Sequence, residues 1–221
     1  MPGTPVRILV ARHGETVFNV EGRWQGQSDS PLTERGLAQA RELARALADE
    51  PIAAVYSSDL GRAMTTAALV GAAQGLQVRT DRRLREINTG GWTGKGRAEI
   101  EAAFPGGLEA WASRPSSVRL PDGETIEEAQ GRALSFFAER MPDHVGETVV
   151  VISHGAIGQS ILVNAMGGSV ADLWLKQRVD NCQISRLEWA PDSGLSLLEL
   201  CDVRHLEDVG SLRGWRTTDA A

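Results

Sequence analysis

Residues 7–11 read Arg-Ile-Leu-Val-Ala and run straight into Arg12-His13-Gly14-Glu15-Thr16. A short, continuous apolar run ended by polar and glycine residues is the pattern of a strand buried on both faces. Two further runs share it: Ala-Ala-Val-Tyr at 53–56 and Thr-Val-Val-Val-Ile at 148–152. Between them the apolar spacing turns helical. Over 33–48 the positions Leu37, Ala40, Leu43, Ala44 and Leu47 share one helical face, and over 125–141 Ile126, Ala129, Ala133, Phe136 and Phe137 do the same. Thr125 followed by Glu128 is a capping box. Residues 60–74 and 157–166 are two more predicted helices. Near the end, 183–189 and 195–203 flank Ala190-Pro191-Asp192-Ser193-Gly194 and read as a hairpin. Strands alternating with helices in this way predict an α/β protein with a mostly parallel sheet, to which the hairpin adds an antiparallel neighbour.

The chain has 221 residues, 42% hydrophobic and 24% charged. At roughly 150 residues per domain, one domain over 1–221 is the simplest organisation, and a chain of this size buries about 70% of its unfolded surface without staples. Disorder, collagen and membrane spans are excluded as whole-chain answers. The formal charge of −6 argues against a nucleic-acid partner, which calls for a basic surplus, and no apolar run suits a membrane. An anionic small molecule stays compatible, because a ligand feels the field of one cleft rather than the net sum. Cys182 and Cys201 are too few for a disulfide framework and are not spaced as zinc ligands. With no leader pattern at 1–10, the expectation is a soluble, cytoplasmic protein. Residues 90–123, holding Pro105, Gly106, Gly107, Pro115 and Pro121, are the least regular stretch and the candidate lid or insertion.

Ligands of open α/β sheets bind beyond the carboxyl ends of the strands. There the sequence places Arg12-His13-Gly14, then Ser57-Ser58-Asp59-Leu60-Gly61-Arg62, then Ser153-His154-Gly155. A single histidine at a strand end is usually a hydrogen-bonded turn residue, and a lone arginine a solvated charge. Two His-Gly pairs placed alike change the balance, since glycine permits close backbone approach and the amides of a following helix suit phosphate. Two histidines with two arginines point to phosphoryl transfer: a neutral imidazole attacks phosphorus while arginines hold the nonbridging oxygens. Metal binding is the weaker use, because no HxxH, HxH or acidic cluster accompanies the histidines. No metal and no cofactor are expected. A proton donor for the leaving group is still required, and spacing alone leaves Glu15, Glu86 and Glu124 open.

These motifs resemble the histidine phosphatase superfamily, the phosphoglycerate mutase-like proteins. The resemblance covers about residues 7–209. It rests on Arg12-His13-Gly14-Glu15-Thr16 with Asn19, Arg23-Trp24-Gln25-Gly26, Asp29 and Ser30-Pro31-Leu32-Thr33-Glu34-Arg35-Gly36; on Ser57-Ser58-Asp59-Leu60-Gly61-Arg62-Ala63; on Leu84-Arg85-Glu86-Ile87 with Gly90, Trp92 and Gly94; and on Ser153-His154-Gly155. Four ordered motifs are specific where one would be weak. The resemblance implies a three-layer fold with helices on both faces of the sheet. It implies His13 as the phosphorylated nucleophile, Arg12, Arg62 and His154 as the rest of the phosphate pocket, and Glu86 as proton donor. Asn19, Gln25, Gly26 and Gly155 would contact the phosphoryl group or its surroundings. Thr93 and Ala156 depart from the family's frequent Glu and Gly. The short insertion after Glu86 resembles the broad-specificity phosphatase branch rather than the mutases, which makes a small phosphate ester the expected partner. Mutase-type phosphoryl transfer is the alternative, and a non-catalytic phospholigand binder the third reading. Trp92, Phe104, Trp111, Arg114 and Arg119 are candidate lining for the leaving-group side, although ordinary packing is preferred for Phe104 and a solvated charge for Arg119.

Overall fold

A computed structural model describes residues 4–172 and 179–210. Among them the chain runs β1 (Val6–Arg12), α1 (Val17–Val20), α2 (Glu34–Ala46), β2 (Ile52–Ser57), α3 (Gly61–Gln74), β3 (Val78–Thr80), α4 (Arg97–Ala103), α5 (Gly107–Ser113), α6 (Ile126–Arg140), β4 (Thr148–Ser153), α7 (Gly155–Ala165), β5 (Ile184–Ala190) and β6 (Gly194–Asp202). The strands form one sheet in the order β3-β2-β4-β1-β5-β6. β1, β2, β3 and β4 pair in parallel, while β5 runs antiparallel to both β1 and β6. Five of the six strands therefore point the same way.

The side-chain period of two divides each central strand between two cores. Val6, Ile8 and Val10 of β1 with Val149 and Val151 of β4 pack against Ala129, Ala133, Phe136 and Phe137 of α6 and Ile157 and Ile161 of α7. Leu9, Ala11, Val150 and Ile152 face the opposite way, onto Ala40, Leu43 and Ala44 of α2 and Ala63, Ala67 and Val70 of α3. This is the expected three-layer arrangement, with helices on both faces of a mostly parallel sheet. The Thr125–Glu128 capping box forms as read, with Glu128 N–H donating to Thr125 Oγ1 at 3.2 Å and Thr125 N–H to Glu128 Oε2 at 3.0 Å.

Two features differ from the sequence reading. Residues 90–123 are not irregular throughout: they hold α4, α5 and short 3-10 turns, and bury Trp92, Ile100, Leu108, Trp111 and Leu120 in the α6-side core. Apolar positions too few for a full helical repeat hid the two seven-residue helices. The edge strand β3 has only three residues, two of them exposed, and lacks the apolar run by which the others were recognised. No helix among the described residues is long and apolar enough to cross a membrane.

Candidate active site

Strand register brings the two histidines together. In the parallel β1–β4 pair Arg12 stands opposite Ser153, and His13 N–H donates to the Ser153 carbonyl at 3.0 Å. The residues that follow, His13 and His154, leave adjacent strand ends side by side, with ring centroids 5.2 Å apart. β2 adds Ser58, whose amide donates to the Ile152 carbonyl at 3.0 Å. Both rings are buried.

A carbonyl only accepts, so the 2.8 Å contact between His13 Nδ1 and the Gly14 oxygen puts the ring proton on Nδ1. Nε2 keeps the lone pair and receives Arg62 Nε–H at 3.2 Å. Burial first, then the positive charges of Arg62 and Arg12, hold the His13 imidazole well below the usual histidine value. Burial, Arg62, His13 and Arg12 act on His154 in the same direction. Both rings are neutral near pH 7.

Arg62 sits in the first turn of α3 with its side chain 1% exposed. Its Nη2 donates to the Gly26 carbonyl at 2.7 Å and its Nη1 to the Ser28 carbonyl at 2.6 Å and Asp29 Oδ1 at 3.2 Å. Gly26 has φ +51°, and a Cβ there would lie 2.1 Å from Thr89 Oγ1, so only glycine fits this loop. Arg12 donates from Nη1 to the Val179 carbonyl at 2.7 Å. Arg12 and Glu86 converge over Gly155: a Cβ built there would lie 3.4 Å from Arg12 Cζ and 3.7 Å from Glu86 Oε2. Glu86 itself accepts the amides of Ala156 at 3.1 Å and of Ile157 and Ile87 at 3.0 Å each.

The structure thus gathers Arg12, His13, Arg62, Glu86, His154 and Gly155 at one sheet edge. Gly26 joins them through its carbonyl on Arg62. Asn19 is linked to His13 through Asn181: its Oδ1 accepts the Thr16 amide at 3.1 Å and Asn181 Nδ2 at 3.4 Å, and the same Nδ2 donates to the His13 carbonyl. Gln25 is buried, and its Oε1 has no hydrogen-bond partner among the described residues.

Two local expectations are corrected. Most helix amides beyond the strands are already engaged: Ala156 and Ile157 of α7 donate to Glu86, and in α3 Gly61 N–H and Arg62 N–H donate to Asp29 at 2.6 and 3.3 Å. Gly14 is required by backbone packing, because a Cβ there would lie 2.4 Å from the Gly36 carbonyl oxygen.

Four residues carry site geometry that motif reading gave no role. Asp29 caps α3 and grips Arg62. Ser58 Oγ contacts His154 Nε2 at 2.8 Å. Asn181 Nδ2 donates to the His13 carbonyl at 2.8 Å. Arg132 of α6 donates to the carbonyls of Arg83, Arg85 and Glu86 at 2.8, 2.6 and 2.8 Å. Asp29 and Ser58 lie inside quoted motifs, which was their one signal. Asn181 and Arg132 stand alone in sequence.

The model of the histidine phosphatase superfamily, branch 1, matches residues 8–202. The chain belongs to that family. This histidine phosphatase is 32% identical to phosphoserine phosphatase 1 of Hydrogenobacter thermophilus over 76% of its own length and 80% of the relative's. It is also 32% identical to a probable phosphoglycerate mutase GpmB of an Enterobacter species, over 91% and 95%. Among solved structures, Bacillus stearothermophilus YhfR superposes with a TM-score of 0.86 at 32% identity, covering 91% of this chain and all of that one.

Proposed function

We propose that this histidine phosphatase hydrolyses small phosphate monoesters in two displacements at the Arg12, His13, Arg62, Glu86 and His154 cluster. His13 Nε2 attacks phosphorus, the bond from phosphorus to the ester oxygen breaks, and Glu86 gives its proton to that oxygen. The Glu86 carboxylate then takes a proton from water, whose oxygen attacks the phosphohistidine. The phosphorus–nitrogen bond breaks and phosphate leaves. Arg12, Arg62 and neutral His154, with the Gly155 amide, stabilise the nonbridging oxygens as charge builds on them. Asn19, Gln25 and Gly26 shape the rest of the pocket.

One observation carries this reading: His13 is neutral, its proton is committed to the Gly14 carbonyl, and its lone pair lies beside a buried arginine. The two arginines supply the charge that a cation supplies elsewhere, which supports a reaction independent of metals. A cytoplasmic setting agrees with a chain of only two cysteines. The relative with a mutase name supports a second reading, transfer between hydroxyls.

Rapid quench with labelled ester tests both. Acid-labile, base-stable label on His13, with phosphate released in the absence of any bisphosphate primer, is the expected result. Label on His154 or on a serine would overturn the assignment. Turnover that required a primer and outpaced hydrolysis would establish the mutase.

A further inference from the structure

The hydrogen bonds of Ser58 and His154 can be counted, because both side chains are fully buried. Ser58 Oγ lies 2.8 Å from His154 Nε2 and accepts the Leu60 amide at 3.3 Å. A hydroxyl has one proton to give, and a neutral imidazole has one N–H and one lone pair. If Nε2 carried the ring proton, the serine proton would stay buried with no acceptor among the described residues in every state of the site, whereas an Nδ1 proton is unmatched only until a phosphoryl oxygen arrives. If the serine donates, Nε2 is the lone pair and the ring proton must sit on Nδ1. Among the described residues His154 Nδ1 is buried without a hydrogen-bond partner, in a ring packed edge-on against His13.

We propose that Ser58 is a positioning residue whose hydroxyl, by donating to His154 Nε2, locks His154 in the Nδ1–H tautomer and arms that proton for a nonbridging phosphoryl oxygen. The inference rests on the reading of His13 as phosphoryl acceptor. Burial and the neighbouring arginines keep the His154 ring neutral, so its charge does not decide how it meets an anion; its tautomer does. An Nδ1 proton attracts the oxygen and an Nδ1 lone pair repels it. The register of β2 on β4 supplies the lock, since it sets Ser58 beside His154 in the bare protein.

Nitrogen-15 NMR of the histidine-labelled full chain reads the tautomer directly. Near pH 7, His154 is expected to show a protonated Nδ1 and a pyridine-like Nε2. Ser58→Ala should lose that preference and weaken binding of inorganic phosphate roughly tenfold, the scale of one buried hydrogen bond. Ser58→Thr, which keeps the hydroxyl, should restore both. A wild-type ring protonated at Nε2 would overturn the proposal, as would a Ser58→Ala protein with unchanged tautomer and phosphate affinity. Failure of the catalytic reading is visible separately, as an intact Nδ1–H tautomer in a protein that takes no label on His13.

Discussion

Of the three acids that spacing left open as proton donors, two are already engaged with arginines. Glu15 is buried against Thr33 Oγ1 at 2.8 Å and paired with Arg35; Glu124 pairs with Arg132 at 2.9 Å. Among the described residues the Glu86 carboxylate is held by backbone amides, and it shares the space over Gly155 with Arg12. An alkoxide is a poor leaving group without a proton, so Glu86→Gln should slow alkyl phosphate hydrolysis by roughly 10²- to 10⁴-fold. Nitrophenolate needs no proton, and nitrophenyl phosphate should lose far less. Steady-state rates on the two esters check this, and equal losses would mean that Glu86 only positions the substrate. Arg62 invites a second comparison. Arg62→Ala should cost about 3 kcal/mol of transition-state stabilisation, and Arg62→Lys should stay poor because an ammonium cannot replace a planar fork. Activity of the unaltered protein should survive exhaustive chelation by EDTA, as measured by ester hydrolysis; loss restored by one divalent ion would reverse the metal-independent reading. Arg12, His13, Arg62 and His154 were legible because each ends or follows a recognisable strand or opens the helix after it; Glu86 follows no apolar run, and only the family resemblance singled it out. Ser58, Asp29, Asn181 and Arg132 act through hydrogen bonds to another residue's ring or backbone, and no local pattern records such a partner.

Among the elements, β1, β2, β4 and the β5–β6 hairpin announce themselves as apolar runs, and α2, α3, α6 and α7 by their apolar faces. Their predicted limits fall within two residues of the observed ones, including α7, whose first residue follows His154 directly. What escaped is what propensity does not specify: the three-residue β3, and α4 and α5, which are stabilised by burying Ile100, Leu108 and Trp111 rather than by length. The site depends on how elements are tied together, and α6 supplies one such tie. Arg132 grips the carbonyls of Arg83, Arg85 and Glu86, and Glu124 completes the clamp by accepting the Asn88 amide at 2.8 Å. Arg132→Met keeps most of the stem packing and removes the fork. It should lower stability by about 2 kcal/mol, as expected for charge-assisted bonds in a partly buried setting, and release the backbone that aims Glu86. The kinetic signature should copy Glu86→Gln, with alkyl esters losing at least tenfold more than nitrophenyl phosphate. Unfolding midpoints report the first effect and the ester ratio the second; a stability loss with an unchanged ratio would limit Arg132 to the fold.

At the scale of the whole molecule, a neutral nucleophile inside a positive pocket has a cost that appears in stability. An unfolded histidine takes up its proton near pH 6.5, whereas burial, reinforced by the arginines, holds folded His13 and His154 well below that. Burial also lowers His205, against partly offsetting contacts from the Cys182 carbonyl and Asp202. Below pH 6.5 the unfolded chain therefore binds protons that the folded chain refuses, and linkage makes stability rise with pH across that window. The contribution of the two pocket histidines is fully present above pH 6.5 and is lost as the pH falls toward their folded values, at up to about 1.4 kcal/mol per pH unit for each. Two carboxylates are held clear of the window from pH 7.5 to 5, Asp59 by its hydrogen bonds from Arg85 and Asp202 by those from Arg204. Urea unfolding across this range should show midpoints that fall steadily on acidification. The His13→Asn/His154→Asn double variant removes both groups and should give a flatter profile, so that its midpoint gains on the wild type as the pH drops. Parallel profiles would mean that the two imidazoles titrate alike in the folded and unfolded protein. Folded His13 would then be increasingly protonated below pH 6.5, and the lone pair with which it attacks phosphorus would be lost across that range.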